Sequence, residues 1–326
     1  MAFETNILIL AVAILADAVL GDPAVLYRRV WHPVTAAGML IDVLDRALNH
    51  GHWPAWLRRA AGLVSLAIVV ALAAGIGLFL QWLLLGWGWG WLVAGLIAST
   101  LLAQNSMYRR ARDVAVALET GGLDAGRAAV AHIVGRDPKG LDEAGVRRAT
   151  IESLAENFSD GVTAPLFWAL LLGLPGLFAY KAINTADSMI GYRNERYADF
   201  GWAAARIDDA VNWLPARLSA FALVLAALLL PRPSGWRALA TVFRDARNSV
   251  SPNAGYPEAA MAGALRLKLA GPRIYGGQTT NFLWIGDGSP RPDAAAVRSA
   301  LVLYAGACLV LAASILVFAS SLLIAP

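Results

Sequence analysis

Between Tyr180 and Pro215 the chain concentrates Lys181, Asp187, Arg193, Glu195, Arg196, Asp199, Arg206, Asp208 and Asp209 with the amides Asn184, Asn194 and Asn212. The runs on either side, 161–178 and 220–230, are almost free of charge. Ionisable groups set between membrane-grade apolar runs are costly unless they have work to do. On a helix, Lys181, Asn184, Asp187 and Ser188 recur at spacings of three and four and share one side. Lys181 and Arg193 suit phosphate oxygens, the arginine bidentately, and Asp187 suits a metal ion or a base. The competing reading is an internal ion-pair network that neutralises a polar plug. Arg206, Asp208, Asp209 and Asn212 admit the same two readings, with a simple Arg206–Asp209 helix pair as the plainer one.

Upstream, Glu152, Glu156 and Asp160 follow at i, i+4 and i+8. At about 100° per residue they drift through roughly 80°, which places them on one helix face. With Asn157 beside them, an all-oxygen set of this kind suits a magnesium ion whose coordination a nucleotide completes. A solvated face balanced by Arg147 and Arg148 is the alternative. Glu258, just after Pro257, either complements a helix dipole or lies where backbone amides receive an anion. His32, His50, His52 and His132 have no metal-ligand spacing, and His32 before Pro33 reads as a structural cap. There is no GxxxxGK[ST], GxGxxG after a strand, HExxH or GxSxG. Cys308 is the only cysteine, which rules out a disulfide within the chain and a cysteine metal site.

The elements that must hold these groups are membrane helices. Of 326 residues, 58% are hydrophobic and only 15% are charged, the composition of an integral membrane protein. All 27 Lys and Arg fall within 21–59, 104–160, 181–217 and 231–298. That is a positive-inside distribution and not a nucleic-acid stripe. The expected fold is all-α and polytopic, a single membrane-embedded domain with about five apolar spans, some of which can be re-entrant. Apolar runs lie near 6–20, 60–85, 92–103, 162–178, 214–230 and 300–324. The blocks 21–59, 104–160 and 231–298 are expected in the cytoplasm, and the first run reads as a retained helix because it has Glu4 where a signal peptide has positive charge. Asp124 is an expected N-cap, 134–140 a loop, and a helix is expected to start near Asp142. Breaks at Pro165, Pro175, Gly176 and Pro215 would keep the 180–217 cluster facing a cytoplasmic cavity; two complete spans would put it outside.

The residues also support a resemblance. LGDP (20–23), HPV (32–34), VGRD (134–137), LDE (141–143), ESLAENFSDGVTAPLFW (152–168), YKAINTADSMIGYRNERYADFGWAAARIDDAVNWLPARL (180–218) and SPNAGYPEAAMAGAL (251–265) resemble the CobD/CbiB family, the adenosylcobinamide-phosphate synthases of cobalamin biosynthesis. The two longest segments are specific. Pro138 stands where the family has threonine, and LAGPRIYGG (269–277) replaces a double glycine before the proline.

The resemblance implies an ATP-dependent amide ligase joining adenosylcobyric acid to aminopropanol or its O-phosphate. ATP would activate the carboxylate, with Mg²⁺ bridging the charged oxygens. Glu156, Asp160 and Asp187 are the implied metal ligands. Lys181, Arg193 and Arg206 would hold phosphates. Asp208 or Asp209 would accept the proton of the attacking ammonium. Asn157, Asn184, Asn194 and Ser188 would orient substrates, and Arg136, Asn253, Tyr256 and Glu258 complete the expected binding set. The implied setting is multi-pass in the inner membrane with the site toward the cytoplasm. Partners are the lipid bilayer and other membrane-bound late cobalamin enzymes; nucleic acid is not among them, and an oligomer stays open. A membrane corrinoid transporter and a non-catalytic AmpE-like sensor are the other classes. The first should show an internal repeat, which is absent. The second should lack NTADSMIGY and DDAVNWLPARL, both of which are present.

Overall fold

The computed structural model describes residues 2–21, 33–135, 137–275, 278–280 and 282–324. Twelve helices are named here: α1 (Ala2–Leu20), α2 (Pro33–Leu48), α3 (Ala55–Leu85), α4 (Gly90–Ser99), α5 (Gln104–Val130), α6 (Glu143–Phe158), α7 (Ala164–Ile190), α8 (Trp202–Val211), α9 (Trp213–Leu229), α10 (Gly235–Asp245), α11 (Gly255–Leu265) and α12 (Ala294–Ile324). A π-helical turn, Ser159–Thr163, follows α6. The fold is helical, as expected. The small exception is two antiparallel pairs of short strands, β1 (Leu269–Ala270) with β4 (Trp284–Ile285) and β2 (Arg273–Tyr275) with β3 (Gln278–Thr280). Among the described residues, four stretches are long and apolar enough to cross a membrane, within Phe3–Leu20, Ala55–Leu85, Glu143–Ile190 and Ala294–Val317, and Trp202–Leu229 makes up to five. His32 and Arg136, and Asp22 and Pro23 of LGDP, lie outside the described residues.

The run 92–103 does not form a full span. It is mostly α4, which at ten residues reaches about 15 Å, half of the hydrocarbon thickness. Its small buried residues Ala94, Gly95 and Ala98 let it lie against α1, whose Ile9, Leu10 and Ala13 are buried.

The chain divides into two compact units, each assembled from separated segments. Unit 1 comprises 1–103, 164–212 and 315–326. Its central pair is α3 and α7. Small and branched side chains, among them Leu66, Val69, Ala182, Ala186 and Ile190, form a core with Ile41 of α2 and Phe200, Ala203 and Ala204.

Helix α7 is broken in its apolar half. Gly173 has φ 70 and ψ −152, a conformation only glycine adopts without strain. Pro175 two residues later supplies no N–H. The sequence reading placed breaks at Pro165, Pro175 and Gly176; Pro165 instead sits in the first turn of α7, and the backbone departs from helix at Gly173. A break at this depth frees backbone groups that lipid cannot satisfy. Asn6 Nδ2 of α1 donates to the Leu170 carbonyl (3.2 Å), and Gln81 Oε1 of α3 accepts from the Leu174 N–H (2.8 Å). The two amide side chains repair the ladder.

Unit 2 comprises 104–163 and 213–314. Helix α6 starts where expected, and Asp142 caps it by accepting from the Gly145 N–H at 2.7 Å. Val114, Leu118 and Val130 of α5 pack with Val146 and Ala149 of α6. Helix α5 bends at Gly122 (φ 71), just before Asp124. Asp124 pairs with Arg127 at 3.2 Å. In the 231–298 block, α10 and α11 pack together and against α9. Asp245, at the end of α10, accepts from Arg244 and from the Gly286 N–H, both at 2.8 Å, while Asp287 accepts from Arg237 and Arg244. This network fastens the turn after β4 to the helix. Burial aside, the hydrogen bonds from Arg244 dominate and hold the Asp245 and Asp287 carboxyls below the usual carboxylate range.

Candidate active site

The break at Gly173 separates the apolar half of α7 from a polar half. There Lys181, Asn184 and Ser188 form one wall of an open cleft of about 520 Å³, facing Thr35 and Asp42 of α2. The spacing predicted a shared side for these three and Asp187, which is not among the residues lining the cleft. Within the helix, Thr185 donates to the Lys181 carbonyl (2.6 Å) and Ser188 to the Asn184 carbonyl (2.9 Å). Asp187, one step round, is half-buried.

Helix α8 brings the other carboxylates to the same place. Asp208 is 9% exposed and lies in the field of Asp187, with the Asn184 and Asn212 amides beside it. Asn212 is turned by Tyr180, whose hydroxyl donates to its Oδ1 at 3.0 Å. Oδ1 of Asp208 has no hydrogen-bond partner among the described residues. Asp209 is felt by Asp187 and sits in the field of Arg206 and Arg193. Thus Asp187, Asp208, Asp209, Asn184, Arg193 and Arg206, spread over 26 positions from 184 to 209 of the sequence, are assembled within unit 1.

The link between α7 and α8 is held by residues the sequence reading did not select. Asp45 of α2 is 3% exposed; its Oδ2 accepts from Arg196 at 2.6 Å and from the Tyr197 hydroxyl at 3.3 Å. Its Oδ1 accepts from Asn49 at 2.8 Å. Arg58 of α3 donates to Asn49 Oδ1 and to the Arg196 carbonyl, and Arg59 pairs with Asp199 at 2.9 Å. The bond to Asp45 holds the Arg196 guanidinium charged even more firmly than usual. Burial, reinforced by the neighbouring Asp45 carboxylate, pushes the Tyr197 phenol up, so it remains a donor. Asn194 serves the same link: its Oδ1 accepts from the Tyr197 N–H at 2.9 Å. The only sequence signal for this network was an aspartate and an asparagine one helical turn apart in the amphipathic α2 segment.

In unit 2 the carboxylate face expected of Glu152, Glu156 and Asp160 is divided. Glu152 is 5% exposed and accepts from the Ala270 N–H at 2.8 Å, with Arg148 at 4.0 Å. Ala270 has φ 57, so this carboxylate fastens a strained strand residue. Glu156 is exposed, and Asp160 falls in the π turn, where the extra backbone per turn shifts the helical phase. Asn157 donates to the Ser153 carbonyl at 2.9 Å. Glu258 is buried in the first turn of α11. Asn253 and Tyr256 act on Arg217, which the sequence reading did not single out: Nη1 of Arg217 donates to Asn253 Oδ1 (3.2 Å), and its guanidinium lies between the Tyr256 and Trp213 rings at 4.0 and 4.3 Å.

No group of three or more His, Cys, Asp or Glu among the described residues is arranged to hold a metal ion. Of the expected ligands, Glu156 and Asp160 belong to unit 2 and Asp187 to unit 1. Asp187 and Asp209 lie within one another's field in unit 1.

The family model described as CobD/Cbib protein matches residues 10–304. A protein of Rhodobacter capsulatus named "Cobalamin biosynthesis protein CobD" is 48% identical over 295 residues, covering 90% of this chain and 91% of its own. Proteins of the same name from a Sinorhizobium species (47% over 320 residues, 97% and 99% covered) and Brucella suis (46% over 304 residues, 92% and 93% covered) are similar. No solved structure matches the chain.

Proposed function

The chain belongs to the CobD/CbiB family, and from that membership in cobalamin biosynthesis we propose that it is the membrane-bound ligase that joins adenosylcobyric acid to aminopropanol or its O-phosphate. The observation behind this reading is the gathering of Asp187, Asp208 and Asp209 with Arg193 and Arg206 beside the cleft lined by Lys181, Asn184 and Ser188. Amide formation from a carboxylate needs activation by phosphoryl transfer, which ATP with Mg²⁺ supplies when bound. Asp187 and Asp209 are the residues to hold the magnesium, and Lys181 and Arg193 to hold phosphate oxygens. Arg206 lies beside Asp209, where its charge opposes that of the carboxylate.

The amine arrives as an ammonium and must lose a proton before its lone pair attacks the activated carbonyl. Asp208, buried beside Asn184 and Asn212 with one oxygen unpartnered, is the acceptor within the cluster. The new C–N bond then forms as the carbonyl carbon loses its leaving group. Asn184 and Ser188 have side-chain groups on the cleft wall to orient the substrates.

The test is product formation by the full chain in nanodiscs with adenosylcobyric acid, aminopropanol phosphate or aminopropanol, ATP and Mg²⁺, read by mass. The amide product is expected with wild type and is expected to vanish in Lys181→Ala and Asp187→Ala. Corrinoid binding without product or ATP turnover would overturn the ligase reading.

A further inference from the structure

Unit 2 has an open cleft of about 350 Å³ whose lining includes Arg232, Arg266 and Arg291 with the hydroxyls of Ser289 and Ser299. Arg232 follows the apolar α9, and Ser299 lies in the second turn of α12. These two helices meet: Gly306 of α12 sits against Leu230 and Ala226 at the end of α9. The cleft therefore opens at the polar end of two packed apolar helices, one of them long enough to cross the membrane.

The charge in the cleft is one-sided. Neither Arg232 nor Arg266 makes an ion pair with any described residue. Arg266 is held at φ 56, the left-handed region that non-glycine residues avoid, by the bonds that close α11. Arg291 is 79% exposed and reaches Asp142 only at 3.5 Å. Asp293, the one carboxylate lining the cleft, uses Oδ1 to cap α12 through the Ala296 N–H at 2.8 Å. Ser289 Oγ lies against the Arg291 backbone. Four residues on from Arg232, Trp236 in the first turn of α10 is 74% exposed, and arginine and tryptophan are both common at a bilayer interface.

Three guanidinium groups around two hydroxyls match the oxygens of a phosphate. We propose that this cleft holds the phosphate of an anionic phospholipid headgroup. Its place at the end of paired apolar helices, with the exposed Trp236 four residues from Arg232, favours a lipid over a soluble phosphate. The proposal does not depend on the proposed amide ligation.

The test is native mass spectrometry of the full chain in neutral detergent, titrated with phosphatidylglycerol, phosphatidylcholine and free glycerol phosphate. Wild type is expected to retain phosphatidylglycerol in preference to phosphatidylcholine, with free glycerol phosphate unable to displace it at equal concentration. The Arg232→Gln/Arg266→Gln/Arg291→Gln variant is expected to bind about a hundredfold more weakly. Replacing the three arginines by lysine should restore most of the affinity, and Arg266→Gln alone should weaken binding about fivefold if the triple variant fails to fold. Undiminished phosphatidylglycerol binding in the glutamine variants would overturn the proposal. Displacement by free glycerol phosphate at equal concentration would also overturn it and reassign the cleft to a soluble ligand.

Discussion

Asp45 and Arg196, 151 positions apart, are joined by a 2.6 Å hydrogen-bonded ion pair in which the carboxylate is buried and the guanidinium is largely exposed. The pair fixes the link that bears Arg193 and Asn194 to helix α2, whose Thr35 and Asp42 line the cleft with Lys181 from the same side as Asp45. A charge buried to this degree survives because Arg196, Tyr197 and Asn49 all donate to it.

Asp45→Ala should therefore damage catalysis without touching a reacting group. If the link loses its register, kcat/KM of the ligation is expected to fall by up to about 10²-fold, with a lower thermal midpoint. Asp45→Asn, which keeps an acceptor, should recover part of both. Unchanged activity in Asp45→Ala would show that the link need not be held.

Asp208→Asn separates stability from function. The substitution keeps the shape and removes a buried charge beside Asp187 and Asp209, so the unfolding midpoint should hold or rise. Ligation should drop by about 10²-fold or more, because the amide cannot take up the ammonium proton. Full activity would remove Asp208 as the proton acceptor.

The repaired break in α7 predicts a different outcome. Gln81→Leu strands the Leu174 N–H in an apolar setting and should cost about 1–3 kcal/mol. Gly173→Ala should be worse than the ~1–3 kcal/mol of backbone strain, because its β-carbon would fall 2.2 Å from Gln81 Oε1. Thermal unfolding in detergent, followed by tryptophan fluorescence, measures both. Wild-type stability in Gln81→Leu would mean that the break needs no donor and acceptor from its neighbours.

Acid should loosen unit 2 through the Arg244 network. The folded carboxyls of Asp245 and Asp287 lie below their ordinary value of 3.8. Their stabilisation is therefore complete above that value and is lost as pH falls through the depressed folded values. A titration of the unfolding midpoint from about pH 5 to about pH 2 should show a descent that is shallower in Asp245→Asn. Identical descents in both proteins would exclude this pair as the source.

The amino-acid sequence by itself determined the solvent and the elements. Apolar runs such as 60–85 and 300–324 can be satisfied only by membrane helices, whatever else surrounds them, because lipid offers no partner to an open backbone. The i, i+3, i+7 spacing of Lys181, Asn184 and Ser188 likewise set their shared side, since helical geometry is local. The start of α6 near Asp142 was legible for the same reason.

The rest required long-range contacts. Glu152 shares a helix face with Glu156 on paper, yet the arrival of Ala270 from 118 positions away converts it into a backbone anchor. Run 92–103 has the hydropathy of a span, but small residues seat α4 on α1 and the helix ends after ten residues. Asp45 looked like one more charge on an amphipathic helix until Arg196 and Tyr197 packed against it. Local pattern fixes which way a side chain points along its own element; which group waits there is decided by the packing of elements distant in sequence, where burial and hydrogen-bond satisfaction choose between partners.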